Sequence, residues 1–536
     1  MRGGQHETAV SAGPVQPGSR AAAEPLARSG SARDWLVAVI PALAELAVGG
    51  YRIGAPSLWR DEAATIAGSQ RPVAAILAMV PNQDAVHGPY YVLMHGVIAV
   101  SGISATTLRL PSLLAMSVAA GLTAALGRRL ASASGLPVAR AVGSLAGLAL
   151  IAVPLTTRYA QEARPYALTA LFAVLATYAL LRAVPSPRWP WWGLYAAALT
   201  MAGLFSLFTV LIVAAHAASL WWARSQAGGA VTPRIMRRWL AACLVASVLL
   251  APIAYLSAGQ SAQLNWVRRP DLSTAATLLR EFAGGTPLIP VIAVLVLLGC
   301  FAANGIQHRG GITLASIALP WLVLPPAMLI AVSFAHPVYV ERYVLFCLPA
   351  AALLTSAGLV WLGAVARRAL AGRPRGRRLA DMLAVLPSAV LAVLIAGTVM
   401  NQQRAVRQVT ARADDLQAVA SVIARHERPG DAVLYLPRDT ELVGVAYPAP
   451  FRRLRDIGQA ESAIASATLR GLPASRQVVA ARLATVRRLW IVQWAHPLSQ
   501  SSAAPARLTK LLDGLHRTGR WQVQSVLLRL FTVRSR

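Results

Sequence analysis

The chain has 536 residues, 56% of them hydrophobic and only 13% charged, with a formal net charge of +30 and a mean hydropathy of +0.53. Long apolar runs recur through the first 400 positions, each able to cross a bilayer, which excludes an ordinary soluble domain. The cations are almost all arginine, Lys510 being the only lysine, and they form no basic stripe interleaved with aromatics; this sets nucleic acid aside as a partner and leaves topology and anionic lipid headgroups to explain the sign.

Residues 1–33 are rich in Gly, Ala, Ser, Pro and Arg and lack an apolar core, so they read as a disordered cytoplasmic tail and not as a signal peptide. Residues 34–400 form a transmembrane domain. Its expected spans are Trp35–Tyr51, Pro111–Leu130, Val138–Thr157, Pro165–Val184, Trp191–Leu207, Phe208–Trp222, Trp239–Ser257, Leu288–Ala303, Ile312–Phe334, Val344–Ala364 and Met382–Met400. The run Pro89–Ser101 is short and carries His95 and Gly96. If it crossed fully, the Arg128/Arg129 cluster would face outside and later clusters would alternate wrongly. If it re-enters or lies in the interface, eleven spans put every dense arginine cluster in the cytoplasm, at 128–140, 182–188, 224–238 and 367–378. The N-terminus is then inside, and the plasma membrane is the expected location.

The acids follow the same division. Twelve precede residue 400, and in the eleven-span arrangement Asp61, Glu62, Asp84, Glu162, Asp271, Glu281 and Glu341 all fall outside. Glu45 is the exception, inside the first span, where an acid is a functional candidate by default. Cys243, Cys300 and Cys347 lie in apolar runs and read as small core residues.

After Met400 the composition changes, and residues 401–536 read as a small extracytoplasmic α/β domain. Asp414–Arg428 is an amphipathic helix with acids at its start, Pro429-Gly430-Asp431 a turn, and Ala432–Leu436 a strand. Arg488–Trp494 and Gln522–Val533 are further strands, and Ala506–His516 a short helix.

Three outer segments carry the polar residues. The first external loop, 52–108, holds Trp59-Arg60-Asp61-Glu62 and then Asp84 through His87-Gly88-Pro89-Tyr90-Tyr91. The second is Arg158-Tyr159-Ala160-Gln161-Glu162-Ala163-Arg164-Pro165-Tyr166, and the third His336 to Glu341-Arg342-Tyr343. Each has an ordinary explanation: a turn histidine, a salt-bridged loop, an interfacial aromatic–cation anchor. Their shared side favours function. An acid near the interface serves as general base toward a hydroxyl when burial tunes it, and arginines at that depth bind phosphate bidentately. Together they suit a lipid phosphate that carries a transferable group.

In these segments, in order and spacing over roughly residues 35–400, the chain resembles the GT-C glycosyltransferases. It is most similar to protein O-mannosyltransferases, lipid A aminoarabinose transferases and related bacterial cell-envelope enzymes. The resemblance implies an all-α polytopic domain acting on the outer face with a polyprenyl-phosphate sugar donor and a glycan, lipid or protein acceptor. Carried over by position, Asp61 would be the catalytic carboxylate, with Glu62 supporting it. His87 stands where the family has a His-Pro-Pro or Lys-Pro-Pro motif, with Gly88 in place of the first proline. Arg60, Tyr90, Arg158, Gln161, Glu162, Arg164 and Tyr166 would line the substrate cavity, and Arg342 with Tyr343 would contact the donor phosphate. The implied reaction is an inverting displacement at the anomeric carbon with polyprenyl phosphate leaving. No His/Cys metal cluster is visible, and because some relatives use a divalent metal ion, the resemblance leaves one as a candidate cofactor. The arginine and alanine richness suits a high-GC bacterium, where mannose or arabinose on a decaprenyl carrier would fit. The alternatives are a secondary transporter or lipid flippase, which would carry inverted repeats and polar helices at mid-membrane depth, and a non-catalytic scaffold.

Overall fold

A computed structural model describes residues 32–133, 138–226, 231–304, 311–371, 399–495 and 514–533, with 229, 397 and 512 as isolated positions. The expected tail at 1–33 lies outside these residues except for 32–33, which open α1 (Ala32–Gly50). The expected span at 382–400 lies outside them except for 397, 399 and 400. Residues 52–108, expected from the sequence to be an external loop, are largely helical: α2 (Arg60–Ser69), α3 (Val73–Met79) and α4 (Gly88–Ser101). At 14 residues, α4 rises about 21 Å, short of the ~30 Å hydrocarbon core.

Membrane helices follow as α5 (Ala105–Ala133), α6 (Ala139–Ala152), α7 (Pro154–Ala160), α8 (Tyr166–Ala183), α9 (Trp189–Phe205), α10 (Ile212–Ser225) and α11 (Pro233–Ala258). After the short α12 (Leu272–Ala283) come α13 (Ile289–Asn304), α14 (Leu314–Ala335) and α15 (Leu348–Ala371). Among the described residues, seven helical stretches are long and apolar enough to cross a membrane, and the bent pair α6/α7 makes eight.

The bend matters for the site. The expected span Val138–Thr157 breaks by 71° at Val153–Pro154. Pro154 has no N–H to continue α6, and it pushes Val153 to an extended backbone with ψ 121°. Arg158 therefore stands on α7, a separate seven-residue helix, and not at the straight end of a span. In the third segment, Arg342 and Tyr343 lie in a 3₁₀ stretch, Glu341–Cys347, directly before α15.

Beyond the membrane helices the chain forms α16 (Leu416–His426), β1 (Ala432–Leu436), α17 (Leu442–Ala446), α18 (Pro448–Phe451), β2 (Arg455–Asp456), β3 (Gln459–Glu461), β4 (Leu472–Pro473), α19 (Arg476–Leu483), β5 (Arg488–Trp494), β6 (Leu515–Val523) and β7 (Val526–Val533). The main sheet has the order β2-β1-β5-β7-β6, parallel at β2/β1/β5 and antiparallel from β5 onward. Two expectations are corrected. The strand placed at 522–533 is the end of one hairpin arm plus all of the other, because Gln524, at φ 47°, turns the chain between Val523 and Val526. The helix placed at 506–516 ends in strand residues from Leu515, its earlier part lying outside the described residues apart from 512 and 514.

Side chains of β1 and β5 alternate between two cores, as period-two geometry requires. Val433, Tyr435, Trp490, Val492 and Trp494 join a cluster that runs on into Leu58, Ala63, Tyr90 and Met116 of the membrane domain. Ala432, Leu434, Leu489 and Ile491 pack on the other face with Val479 of α19. Apolar packing is thus continuous from membrane helices into the sheet.

Where α17 meets α2, Glu441 ends a 3₁₀ turn and pairs with Arg438, which also binds Asp456 at 2.5 Å. Burial pushes the Glu441 carboxyl up to about 7, against the pull of Arg438. With the folded value raised, its stabilising share is complete below 4.5 and is lost as pH rises through about 7. Glu441→Gln leaves Arg438 its Asp456 partner, so the variant should melt at a higher temperature than the parent at pH 8 and at the same temperature at pH 5, read by thermal unfolding of the purified chain.

Candidate active site

Helix α2 carries two adjacent acids in its first turn, and they point to opposite fates. Glu62 is fully buried, and both its oxygens meet the Arg109 guanidinium, Nε to Oε1 at 2.8 Å and Nη2 to Oε2 at 2.7 Å. Arg109 spends its remaining donors on the carbonyls of Ile53, Pro56 and Ser57. The Ala163 N–H donates to Glu62 Oε1 at 2.9 Å. One ion pair thus joins α2, α5, the turn before α2 and the 161–165 loop.

Asp61 is partly exposed, and its carboxylate faces Arg342 at 3.9 Å. Behind it Arg164 reaches the Asp61 carbonyl at 3.5 Å and, through Nη2, donates to His87 Nε2 at 2.6 Å. An accepting Nε2 leaves the proton on Nδ1, which donates to Asp84 at 2.7 Å. The Tyr91 hydroxyl donates to the other Asp84 oxygen. Burial alone would raise the Asp84 carboxyl, but His87, Tyr91 and Arg164 outweigh it and hold it well below the usual carboxylate range. His87 is therefore an orienting link for Arg164, with neither ring nitrogen free toward Asp61.

Arg342 is ringed by aromatic faces, Trp266 at 5.5 Å, Tyr343 at 5.7 Å and Tyr166 at 5.9 Å from its guanidinium. Such a shell holds a cation in place without neutralising it. Arg158 stands near enough to Arg342 for the like charges to oppose each other, and it lines a cavity of about 400 Å³ with Arg280, Glu281, Thr286 and Gln402. Next to that cavity lies an apolar hollow of about 60 Å³ among Ala152, Val153, Phe282, Leu288 and Ala352. Burial raises the Glu281 carboxyl, helped by Glu341 and opposed by Arg158.

Glu162 is buried beneath Arg158, 3.9 Å from that guanidinium and 3.6 Å from Arg412. Burial raises its carboxyl against both arginines, and Arg412 is lowered in turn. Both partners are pushed toward neutrality, as expected of a buried pair without a direct hydrogen bond.

Of the residues read from sequence, Asp61, Arg158, Arg164, Tyr166, Arg342 and Tyr343 come together, with His87 and Glu162 behind them. Four look elsewhere. Arg60 binds Asp414 and covers the Trp494 ring at 4.0 Å. Gln161 donates to the carbonyls of Gly49 and Tyr51. Glu62 is locked to Arg109, and Tyr90 is buried edge-on to Phe205. Sequence reasoning missed Arg280, Glu281, Arg412 and Asp414; Glu281 alone had a signal, as one of the outer acids. Among the described residues no group of three His, Cys, Asp or Glu side chains could hold a metal ion. Asp61, Asp84 and Glu162 each face an arginine or a histidine.

The helix order, the bent pair and the sheet packed on one end make a polytopic membrane protein whose fold is shared with a solved membrane protein structure. Over 93% of the chain it is similar to ArnT from Cupriavidus metallidurans, covering 98% of that protein at 15% identity and a TM-score of 0.57 in the apo crystal structure. Against the structure bound to undecaprenyl phosphate the coverage is the same, with 16% identity and a TM-score of 0.58. The Archaeoglobus fulgidus oligosaccharyltransferase AglB, in complex with an inhibitory peptide and a dolichol-phosphate, aligns over 93% of this chain and 74% of its own at 11% identity, with a TM-score of 0.44. No protein-family model and no curated protein matches the chain in sequence.

Removing one partner of the Glu62–Arg109 pair strands a buried charge, a loss of about 3–5 kcal/mol. Glu62→Ala should therefore lower the thermal unfolding temperature markedly, and far more than Asp61→Asn, in the same detergent.

Proposed function

We propose that this chain is a membrane glycosyltransferase that moves a sugar from a polyprenyl phosphate to an acceptor hydroxyl on the extracytoplasmic side. The observation that carries this reading is the Asp61 carboxylate facing the aromatic-ringed Arg342, whose like-charged neighbour Arg158 stands with Arg280 on the wall of a cavity that has an apolar hollow next to it. A lipid-linked sugar phosphate has that division of chemistry: an anionic phosphodiester head, which gains a second charge as the phosphate leaves, and a hydrocarbon tail. The similarity to a fold crystallised with undecaprenyl phosphate agrees with it.

In this reading Asp61 accepts the proton of the acceptor hydroxyl as its oxygen attacks the anomeric carbon from the face opposite the phosphate. The bond from that carbon to the phosphate oxygen breaks, the configuration inverts, and polyprenyl phosphate leaves with the electron pair. Charge gathers on the leaving phosphate, and Arg342 and Arg158 stabilise it there. Arg164, aimed by His87 and Asp84, fixes the Asp61 backbone, and Glu62 holds the helix that carries it. No step of this reading passes through a metal ion. We also propose that residues 34–400 are the catalytic domain, that 401–536 lie outside, and that the N-terminus is cytoplasmic. The transferred sugar in this proposal is mannose or arabinose.

The test is transfer from radiolabelled polyprenyl-phosphate sugars in membranes. Loss of a general base costs about 10²–10⁴-fold, so Asp61→Asn should fall by that much while remaining folded, and Arg342→Ala should raise the donor KM as well as lower kcat. Transfer by Asp61→Asn at the parent rate would remove Asp61 from the mechanism.

A further inference from the structure

Arg412 and Asp414, with only Ala413 between them, lie in the segment leading from the membrane domain to the sheet, and each is buried against a different segment of the candidate site. The Asp414 carboxylate has no exposed surface and accepts from the Arg60 backbone N–H at 3.2 Å, from Arg60 Nε at 2.7 Å and Nη2 at 2.6 Å, and from the Ser525 hydroxyl. Helix α2 has no capping side chain of its own, since Trp59 occupies its N-cap position. Asp414 supplies, from 354 residues away, the carboxylate that a helix start favours. Asp61 is the next residue along.

Arg412 reaches the opposite way. Its side chain is fully buried, and Nη2 donates to the carbonyls of Arg158 at 3.2 Å and Gln161 at 3.0 Å, with Nε 3.6 Å from Glu162. Packing alone does not ask for this. Two domains can be joined by apolar contacts at lower desolvation cost than by buried ions, and a large apolar cluster already joins these two. What buried ions add here is direction, because each fixes particular backbone groups, at the start of the helix bearing Asp61 and around the end of the helix bearing Arg158.

We propose that residues 412–414 form a strap that sets the spacing between the Asp61-bearing helix and the 158–164 loop, so that the outer domain positions the groups of the chemical step. Arg412 and Asp414 are positioning residues in this scheme and touch no substrate. The catalytic half rests on the glycosyltransferase reading; the mechanical half does not. A displacement of about 1 Å between reacting groups can cost on the order of 100-fold in rate, which is the scale on which such a strap would be felt.

The experiment uses the full chain in lipid nanodiscs, with Arg412→Gln, Arg412→Lys and Asp414→Asn. Amide hydrogen exchange is followed at 60–63 and 161–163, and transfer from a polyprenyl-phosphate sugar is resolved into kcat and KM. Arg412→Gln should speed exchange in both loops and lower kcat by about 100-fold, with the donor KM within about twofold of the parent. Arg412→Lys keeps the charge but loses the fork, and should recover part of kcat. Asp414→Asn keeps an accepting oxygen at the helix start and should give the same pattern more mildly, which keeps the test open where Arg412→Gln fails to fold. Unchanged exchange at either loop, an unchanged kcat, or an effect confined to the acceptor KM would overturn the strap. A parent protein inactive with every donor counts against the glycosyltransferase reading alone, and the exchange measurements still decide the strap.

Discussion

The buried pair of Glu62 and Arg109 is the contact on which the rest of the candidate site depends. A guanidinium and a carboxylate without exposed surface are tolerable only when every donor and acceptor has a partner. Here the partners are backbone groups of two segments, 53–57 and the loop at Ala163, reached from α5 by Arg109 and from α2 by Glu62. Satisfying one charge pair therefore fixes the turn before α2, the start of α5 and the 161–165 loop together. Asp61, one residue from Glu62, takes its orientation from that arrangement, and so does Arg164, one residue past the amide that Glu62 accepts.

A second, looser layer lies around this pair. The chain Asp84–His87–Arg164 is tight, with distances of 2.7 and 2.6 Å, whereas Glu162 sits between two arginines without a direct hydrogen bond. Tight contacts stand behind the Asp61 backbone, and looser ones stand beneath Arg158, which faces the cavity.

Much of this was legible in the sequence because the membrane enforces simple rules. Apolar runs long enough to cross a bilayer reappear as helices, and β1 and β5 lie at the residues expected, since buried strands leave an unbroken apolar mark. Grouping the acids by side assembled Asp61, Arg164 and Arg342 before any distance was known. Other features left little trace. Pro154 reads as one more proline within a span, yet it swings Arg158 onto a new helix. The turn at Gln524 lacks the Gly or Asn that announces a hairpin. The direction of a side chain is the least legible of all: Arg60, Asp61 and Glu62 are neighbours in sequence, and only Asp61 faces Arg342. Arg412 and Asp414 could not be read as site residues, because their partners lie some 250 to 350 positions earlier.

The hydroxyl of Ser525, in the β6–β7 hairpin, and the guanidinium of Arg60, at the start of α2, meet at Asp414 across 465 positions. Contacts of such separation form late, since the loop between them must be closed at entropic cost before it is rewarded. A ribosome feeding this chain into a bilayer would complete every helix while that corner stayed open. Partly made copies would be inserted but unfinished, and maturation would wait on a hairpin folding back over the loop synthesised first.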